Sequence, residues 1–328
     1  MPDDLKSRAR ASLLGLAIGD ALGSPTENKS REAIGQRWGQ VMDFLSEGQA
    51  GSDDTEYAMF NARLLLKYGP RISAALIAEE WRREIVSVSN SYRGAGFSEM
   101  MAIRNLKSGL LPPQSGQHLH AWSDGLAMRV APFGIVAVGN PVLAAHLAEM
   151  DGSVTHAGEG IYAGKAVAAA VATAMGGAPV PSVIDAAREA IPGDSWTKRA
   201  IDRAVVAGAK SRDVWNALAP LEHEVVFDRY FWSDLGPEAV ALALGLVVAS
   251  RGNFRDAVLG AVNVGRDTDT IAAIAGAITG ALQGTVPEEW ARRVSVVAGT
   301  CIGVVKGMDI RRTADQLVQL SRDWEAKQ

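Results

Sequence analysis

Gly265-Arg266-Asp267-Thr268-Asp269-Thr270 runs straight into the apolar stretch Ile271–Leu282. Two carboxylates stand two residues apart, and each is followed by a threonine hydroxyl. The Ala/Ile/Gly run behind them has no polar face, which reads as a helix buried on all sides. A second cluster, Ser52-Asp53-Asp54-Thr55, lies far upstream and also opens a helix, whose stripe is Ala58, Met59, Ala62, Leu65 and Leu66. Carboxylates and hydroxyls are donors for hard cations such as Mg²⁺, Mn²⁺ or Ca²⁺. Neither cluster has the Cys or spaced His that zinc favours. Four carboxylates meeting at one place would repel, and two divalent ions would resolve that repulsion and activate a water. The reading is therefore that the two helix starts meet and share metal ions. Helix capping is the duller alternative, because Asp, Ser and Thr satisfy free N–H groups at helix starts without further function. One cap needs one residue, and each of these starts carries two acids with flanking hydroxyls.

The composition narrows the class. The chain has 328 residues and a formal net charge of −4, from 33 basic and 37 acidic residues. No basic patch points to nucleic acid, and no charge block points to a tail. Aromatics are sparse at 6% while Ala and Gly abound, which suits closely packed helices. The longest apolar run, Ala239–Ala249, is too short to span a bilayer, so no membrane role is expected. The N-terminus has no basic n-region of a signal peptide. The single cysteine, Cys301, cannot form an internal disulfide and is read as a packed core thiol in a cytoplasmic protein.

Periodicity and breakers give about fourteen helices and no set of alternating strands. Leu5–Leu22 is the first, ended by Gly19-Asp20-Ala21-Leu22-Gly23-Ser24-Pro25-Thr26-Glu27. A poorly patterned loop follows to Gly51. Helices are expected over 52–68, where Asp53 and Glu56 have the spacing of a capping box, then over 72–85 and 98–107. Trp122–Arg129 is a turn feeding a short helix that ends near Pro132. Asn140-Pro141 opens a helix to Met150. Val154–Met175 is the next, with Thr155 and His156 at its start. Further helices are expected near 181–191, 195–208 and 211–218. Glu222–Trp232 has strand-like content. Helices at 237–249, 253–264, from 267, 287–305 and 311–327 complete the chain. No linker divides it, so one compact all-α domain over residues 1–328 is expected.

The motifs, taken in order, resemble the ADP-ribosylglycohydrolase family across nearly the whole chain. They are Gly15-x-x-x-Gly19-Asp20-Ala21-Leu22-Gly23 with Glu27, Ser52-Asp53-Asp54-Thr55, Asp124-Gly125-x-x-Met128-Arg129-x-x-Pro132, Thr155-His156 and Gly265–Thr270. Each alone is weak, but the ordered set is specific. The resemblance implies an all-α fold with two Mg²⁺ or Mn²⁺ ions in a central cleft. By motif matching, Ser52, Asp53 and Asp54 would be ligands from one helix start, and Asp267, Asp269 and Thr270 from the other. The implied reaction is hydrolysis of the glycosidic bond between ADP-ribose and an acceptor. Asp269 or Asp54 would accept the proton, and Glu27 matches a mobile glutamate near the substrate. Asp124, Gly125, Met128, Arg129, Trp122, His156 and Arg266 are the candidate substrate contacts. Arg129 could equally be a buried cation paired with one of the acids, and His156 a capping or supporting residue. Tyr92, Phe97 and Trp196 are softer candidates for stacking a ring.

Three departures bear on substrate. Ser52 stands where threonine is commoner, at little cost, since both supply one hydroxyl. Arg266 stands where glycine is usual and could pair with Asp267 or reach a substrate anion. Asp124 stands where the family usually has Asn, in a loop implied to lie near the diphosphate, where an acid is unfavourable. A small ribosylated compound or nucleoside without the diphosphate is therefore an alternative to an ADP-ribosylated protein. A metal-binding but inactive regulatory member is a third reading. A monomer or small homo-oligomer is expected.

Overall fold

The glycines of the first motif lie against the backbone of the apolar run, with Gly15 facing Gly276. The computed structural model describes residues 2–88, 92–227 and 230–325. Its α-helices are α1 (Pro2–Gly23), α2 (Arg31–Trp38), α3 (Asp53–Tyr68), α4 (Ala74–Trp81), α5 (Phe97–Lys107), α6 (Ala131–Val136), α7 (Pro141–Thr155) and α8 (Glu159–Met175). They continue as α9 (Val180–Glu189), α10 (Trp196–Lys210), α11 (Val214–Val225), α12 (Gly236–Ala249), α13 (Phe254–Asn263), α14 (Thr268–Gln283), α15 (Glu288–Val294) and α16 (Ile310–Glu325). The only ladder among the described residues pairs β1 (Lys29–Ser30) antiparallel with β2 (Gly265–Arg266).

Helix α14 is buried from Thr268 to Ala281, and α12 is buried over nearly all its length, as expected of helices apolar on every side. Helix α1 lies along α14 with its backbone nearly touching. A Cβ built on Gly15 would sit 2.3 Å from the Gly276 carbonyl oxygen, and one on Gly19 would sit 2.1 Å from that of Ala272. A Cβ on Gly23 would meet the Asp269 backbone at 2.5 Å. Only glycine allows that approach, and it sets Asp20 and Glu27 beside the start of α14. Thr268 Oγ1 donates to the Gly23 carbonyl at 3.0 Å, and Thr26 Oγ1 donates to Thr268 Oγ1 at 2.9 Å, which closes the junction.

Most expected helices are present within a few residues, and the exceptions have identifiable causes. The stretch read as a loop before Gly51 contains α2, capped by Ser30, whose side chain accepts from Ala33 N at 3.1 Å. Thr155 and His156 end α7 rather than begin α8, because Gly158 takes a left-handed φ of +54° and breaks the chain there. Pro132 lies in the first turn of α6 instead of ending a helix, a position where its missing N–H costs nothing. In the ambiguous stretch Glu222–Trp232, Glu222–Val225 belongs to α11, which runs on past Pro220, and residues 228–229 lie outside the described set. The long helix expected over 287–305 stops at Val294, and the end expected at Lys327 lies outside the described residues. After Val294, Glu56 accepts from Thr300 N, Cys301 N and Ile302 N at 2.6, 2.7 and 2.6 Å. Glu56 thus holds that loop and does not complete a capping box. Cys301 sits on the same loop, half-buried rather than in a helical core, and burial pushes its thiol up to about 11.

Candidate active site

Two helix starts face each other across one cleft. Asp20, buried near the end of α1, accepts from Ser52 N and Ser52 Oγ, both at 2.7 Å, and from Thr55 N at 3.0 Å and Thr55 Oγ1. A single carboxylate from α1 therefore caps α3, and the Ser52-Asp53-Asp54 turn is pinned to α1. Ser52 gives its proton to Asp20, which leaves its oxygen lone pairs as donors. On the other side Asp267 precedes α14 and Asp269 and Thr270 lie in its first turn. Thr270 Oγ1 donates to Asp54 Oδ1 at 3.3 Å, so the two starts touch directly.

The cleft between them has a volume of about 430 Å³. Seven carboxylates line it: Glu27, Asp53, Asp54, Asp124, Asp234, Asp267 and Asp269. Among the described residues no Lys, Arg or His lines it. Burial, with mutual repulsion, holds these carboxyls above the usual range. Asp53 is pushed up to about 7 by burial and by Asp20, and Asp54, Asp124, Asp267 and Asp269 stand well above the ordinary value for the same first cause. Asp267 lies within hydrogen-bonding reach of both Asp124 and Asp269, a contact that needs a shared proton or a cation. Single oxygens of Glu27, Asp267 and Asp269 come within 4.8 Å of one another. Asp54 Oδ2 and Asp124 Oδ2 are buried without a hydrogen-bond partner. Buried carboxylate oxygens are expensive to leave unmet, so this acidic cluster fits a divalent cation.

The remaining candidates divide between the cleft wall and the layer behind it. Gly125 and Met128 line the cleft beside Asp124. Arg129 does not. It is fully buried and pairs with Glu99 and Asp151, both at 2.8 Å, with Thr155 Oγ1 accepting from Nη2 at 2.8 Å. A substrate contact by Arg129 is thus replaced by a structural role, because two buried carboxylates hold the guanidinium beneath the turn. His156 belongs to that same layer. Its Nε2 is 3.0 Å from Ser123 Oγ and its Nδ1 is 2.7 Å from Thr155 Oγ1; burial and Arg129 keep it neutral. Glu99 also packs under Gly125, where a Cβ would come within 2.3 Å of Glu99 Oε1.

Arg266 does not reach Asp267 or the cleft. It has a left-handed φ of +71°, pairs with Glu238 at 2.6 Å and donates to the Trp232 carbonyl at 3.2 Å. The β1–β2 ladder sets that geometry, and the turn beside it, where Asn28 N donates to the Arg266 carbonyl at 2.9 Å, carries Glu27 to the acids. Trp122 lies behind the wall, packed on Tyr230 at 4.7 Å and Phe97 at 5.6 Å. Of the softer aromatic candidates, Phe97 lines the cleft, whereas Trp196 packs on Trp122 and Tyr92 lies against Lys107.

Sequence reading did not pick out Asp234, Trp232, Glu99 or Asp151. Trp232 ends and Asp234 follows a region with strand-like content, and Glu99 and Asp151 are single acids inside helices. Asp20 stood in a quoted motif, but nothing in its spacing announced that it caps a helix distant in sequence.

A family model for ADP-ribosylglycohydrolases matches residues 1–327. The chain belongs to the ADP-ribosylglycohydrolase family. It is 30% identical over 304 residues to an ADP-ribosylarginine hydrolase of Pseudomonas putida, covering 90% of this chain and 76% of that one. It is 33% identical over 298 residues to an uncharacterized protein of Archaeoglobus fulgidus, covering 87% and 91% of the two chains. A solved ADP-ribosylglycohydrolase-related protein superposes with a TM-score of 0.69 at 22% identity, covering 97% of this chain and 99% of the other. That likeness carries the fold, and the family carries the class of enzyme: a glycosidase. Among the described residues of this glycohydrolase, no helix is long and apolar enough to cross a membrane.

Proposed function

We propose that this glycohydrolase cleaves the bond between ADP-ribose and an acceptor, with two Mg²⁺ or Mn²⁺ ions in the acidic cleft. The observation that carries the metal reading is the pair of orphaned oxygens, Asp54 Oδ2 and Asp124 Oδ2, within a ring of seven acids. Ser52, Asp53 and Asp54 would hold the ions from the α3 start, and Asp267, Asp269 and Thr270 from the α14 start. Bound there, divalent cations supply Lewis-acid polarisation and lower the pKa of a water. Once a cation offsets their repulsion, the carboxylates face the oxocarbenium character that develops at the sugar's anomeric carbon. Asp269 or Asp54 takes the proton of the attacking water. Glu27, half-buried on the turn after α1, faces the same acids and contacts the sugar. Asp20 and the Arg129 layer do not touch substrate; they hold the two helix starts and the Asp124-Gly125 turn in register.

The similarity to an ADP-ribosylarginine hydrolase supports an ADP-ribosyl substrate. The experiment is hydrolysis of ADP-ribosyl-arginine by the purified protein with Mn²⁺ and after chelation. Activity is expected with Mn²⁺ and lost on chelation; activity that survives complete metal removal overturns the mechanism. A second reading is favoured by one observation, the lack of a lining cation among the described residues. Every charged side chain that a diphosphate beside Asp124 would meet among the described residues is negative, a repulsion that a small N-ribosyl compound avoids. Tight calorimetric binding of free ADP-ribose would count against that second reading.

A further inference from the structure

One acid on the cleft wall belongs to none of the metal-type clusters. Asp234 precedes α12, and its backbone carbonyl accepts from Asp124 N at 3.3 Å. Its carboxyl lies near the Phe97 N–H at the start of α5, close enough for that dipole to favour the charged form. The backbone bond from Asp124 holds it on the cleft wall. The charge that reaches it from a described cation is that of Arg266, which is itself paired with Glu238. Beside it the rings of Phe97 and Trp232 stack, with centroids 5.1 Å apart and planes 28° apart. Both rings line the cleft, and Trp232 is 37% exposed. Trp232 is fixed by Arg266, which donates to its carbonyl, and by His120, whose ring meets it edge-on at 5.6 Å. Helix capping alone accounts for a carboxylate near the Phe97 N–H. It does not account for a carboxylate and two stacked rings sharing one wall of an acid-lined cleft.

That combination has a defined chemical complement. A flat cation lies on an aromatic face and pairs with a carboxylate at the edge of that face. A neutral hydroxyl leaving group would use neither feature, and an anion would be repelled. We propose that Asp234, Phe97 and Trp232 form the subsite for the departing group and select a planar cation, either a guanidinium or a cationic ring. The proposal rests on reading the cleft as the glycohydrolase site. For a ribosyl-guanidinium, the C1′–N bond breaks with both electrons going to nitrogen, and the water oxygen bonds to C1′. The water's proton then goes to that nitrogen, so a guanidinium leaves with its charge kept. With a ring cation the same cleavage leaves a neutral ring and releases the proton to solvent. Because a guanidinium is charged before and after cleavage, Asp234 binds it throughout and acts on KM more than on kcat.

The test uses the full-length, Mn²⁺-loaded protein and two pairs of like-shaped probes. Calorimetry compares methylguanidinium with methylurea, and N-methylnicotinamide cation with neutral nicotinamide. At least one cation should bind roughly tenfold or more tightly than its neutral partner, in line with a desolvated cation–π contact plus an ion pair. Which pair shows the preference identifies guanidinium or ring. Asp234→Asn, which keeps the side chain's size and shape and removes its charge, should erase the preference. Trp232→Ala should reduce it, and Trp232→Phe should restore much of it. On ADP-ribosyl-arginine, Asp234→Asn should raise KM about tenfold with kcat little changed. Equal binding of cations and neutral partners, or a preference that persists in Asp234→Asn, overturns the subsite. If the cation preference depends on Asp234 while no ribosylated substrate is cleaved, the subsite stands and the proposed reaction falls.

Discussion

Replacing Gly276 by alanine tests whether the α1–α14 contact holds the site together. The added Cβ would lie 2.1 Å from the Gly15 carbonyl oxygen, with that residue's carbonyl carbon at 2.7 Å. A comfortable C···O contact is roughly 3.3 Å, so the helices must separate locally by about 1 Å. Both obstructing atoms are backbone and cannot rotate away. Overpacking of this kind costs about 1–3 kcal/mol, and the rigid neighbour places Gly276→Ala near the top of that range. Alanine's better helix propensity returns about 1 kcal/mol, leaving a net loss of about 2 kcal/mol. That is a large part of the ~5–15 kcal/mol by which domains are stable. Gly35→Ala is the control: it lies inside α2, and nothing would come within 4 Å of its Cβ. The control should gain up to about 1 kcal/mol. Urea unfolding followed by far-UV circular dichroism reads both variants. The separation also shifts Asp20 against Asp267 and Asp269, and displacements near 1 Å can cost about 100-fold in rate. If Gly276→Ala matches the wild type in urea midpoint and activity, the close-contact argument is wrong.

Three further expectations follow from the charges. Arg129→Met would leave Glu99 and Asp151 buried without their cation and should destabilise by about 3–5 kcal/mol, read by the same urea titration. Metal-free protein should lose stability as pH rises. Asp53 is raised from 3.8 to about 7, so its contribution is full below pH 3.8 and is lost as pH climbs through 7. Added Mn²⁺ should reverse that slope and, at about 100 times its Kd, stabilise by ~2.7 kcal/mol, while Asp267→Asn should abolish the gain in a thermal melt. Glu80 works in the opposite direction. Burial raises its carboxyl, but hydrogen bonds from Lys67 and Tyr68 and the charge of Arg83 more than offset this, and it sits at about 2 instead of 4.5. Its contribution is present above pH 4.5 and lost as pH falls through 2. Discounted for its partly exposed partners it is worth about 2 kcal/mol, and Glu80→Gln should flatten that acid limb.

The helices were legible because their apolar periodicity and breakers are local. Asn140 and Asn253 announce their helices, and each does cap one, accepting from Leu143 N and Asp256 N. Errors arose where a distant partner overrode the local pattern. Val294–Val305 is apolar enough for a helix, yet Glu56 accepts three of its N–H groups and fixes a loop instead. Arg266 was expected to act on the neighbouring acids because it is adjacent in sequence. A left-handed backbone turns it towards Glu238, which is distant in sequence and near in space.

The site itself was half legible for the same reason. Donor clusters at helix starts can be read from sequence, because their density exceeds what capping needs. The features that bring those starts together cannot, because they are single residues acting across the fold. Asp20 joins α1 to α3 with one carboxylate, and the facing glycines join α1 to α14 with the absence of any side chain. Specificity lies furthest from the motifs. The metal-type acids stand in dense runs of oxygen donors, so they can be read as a pattern. On the proposed reading the wall built from Phe97, Trp232 and Asp234 faces the departing group, and it is assembled from two segments with no shared signature. A cleft with seven acids and no lining cation among the described residues already opposes anions. The aromatic wall adds a preference for flatness, and flat cations satisfy both conditions at once.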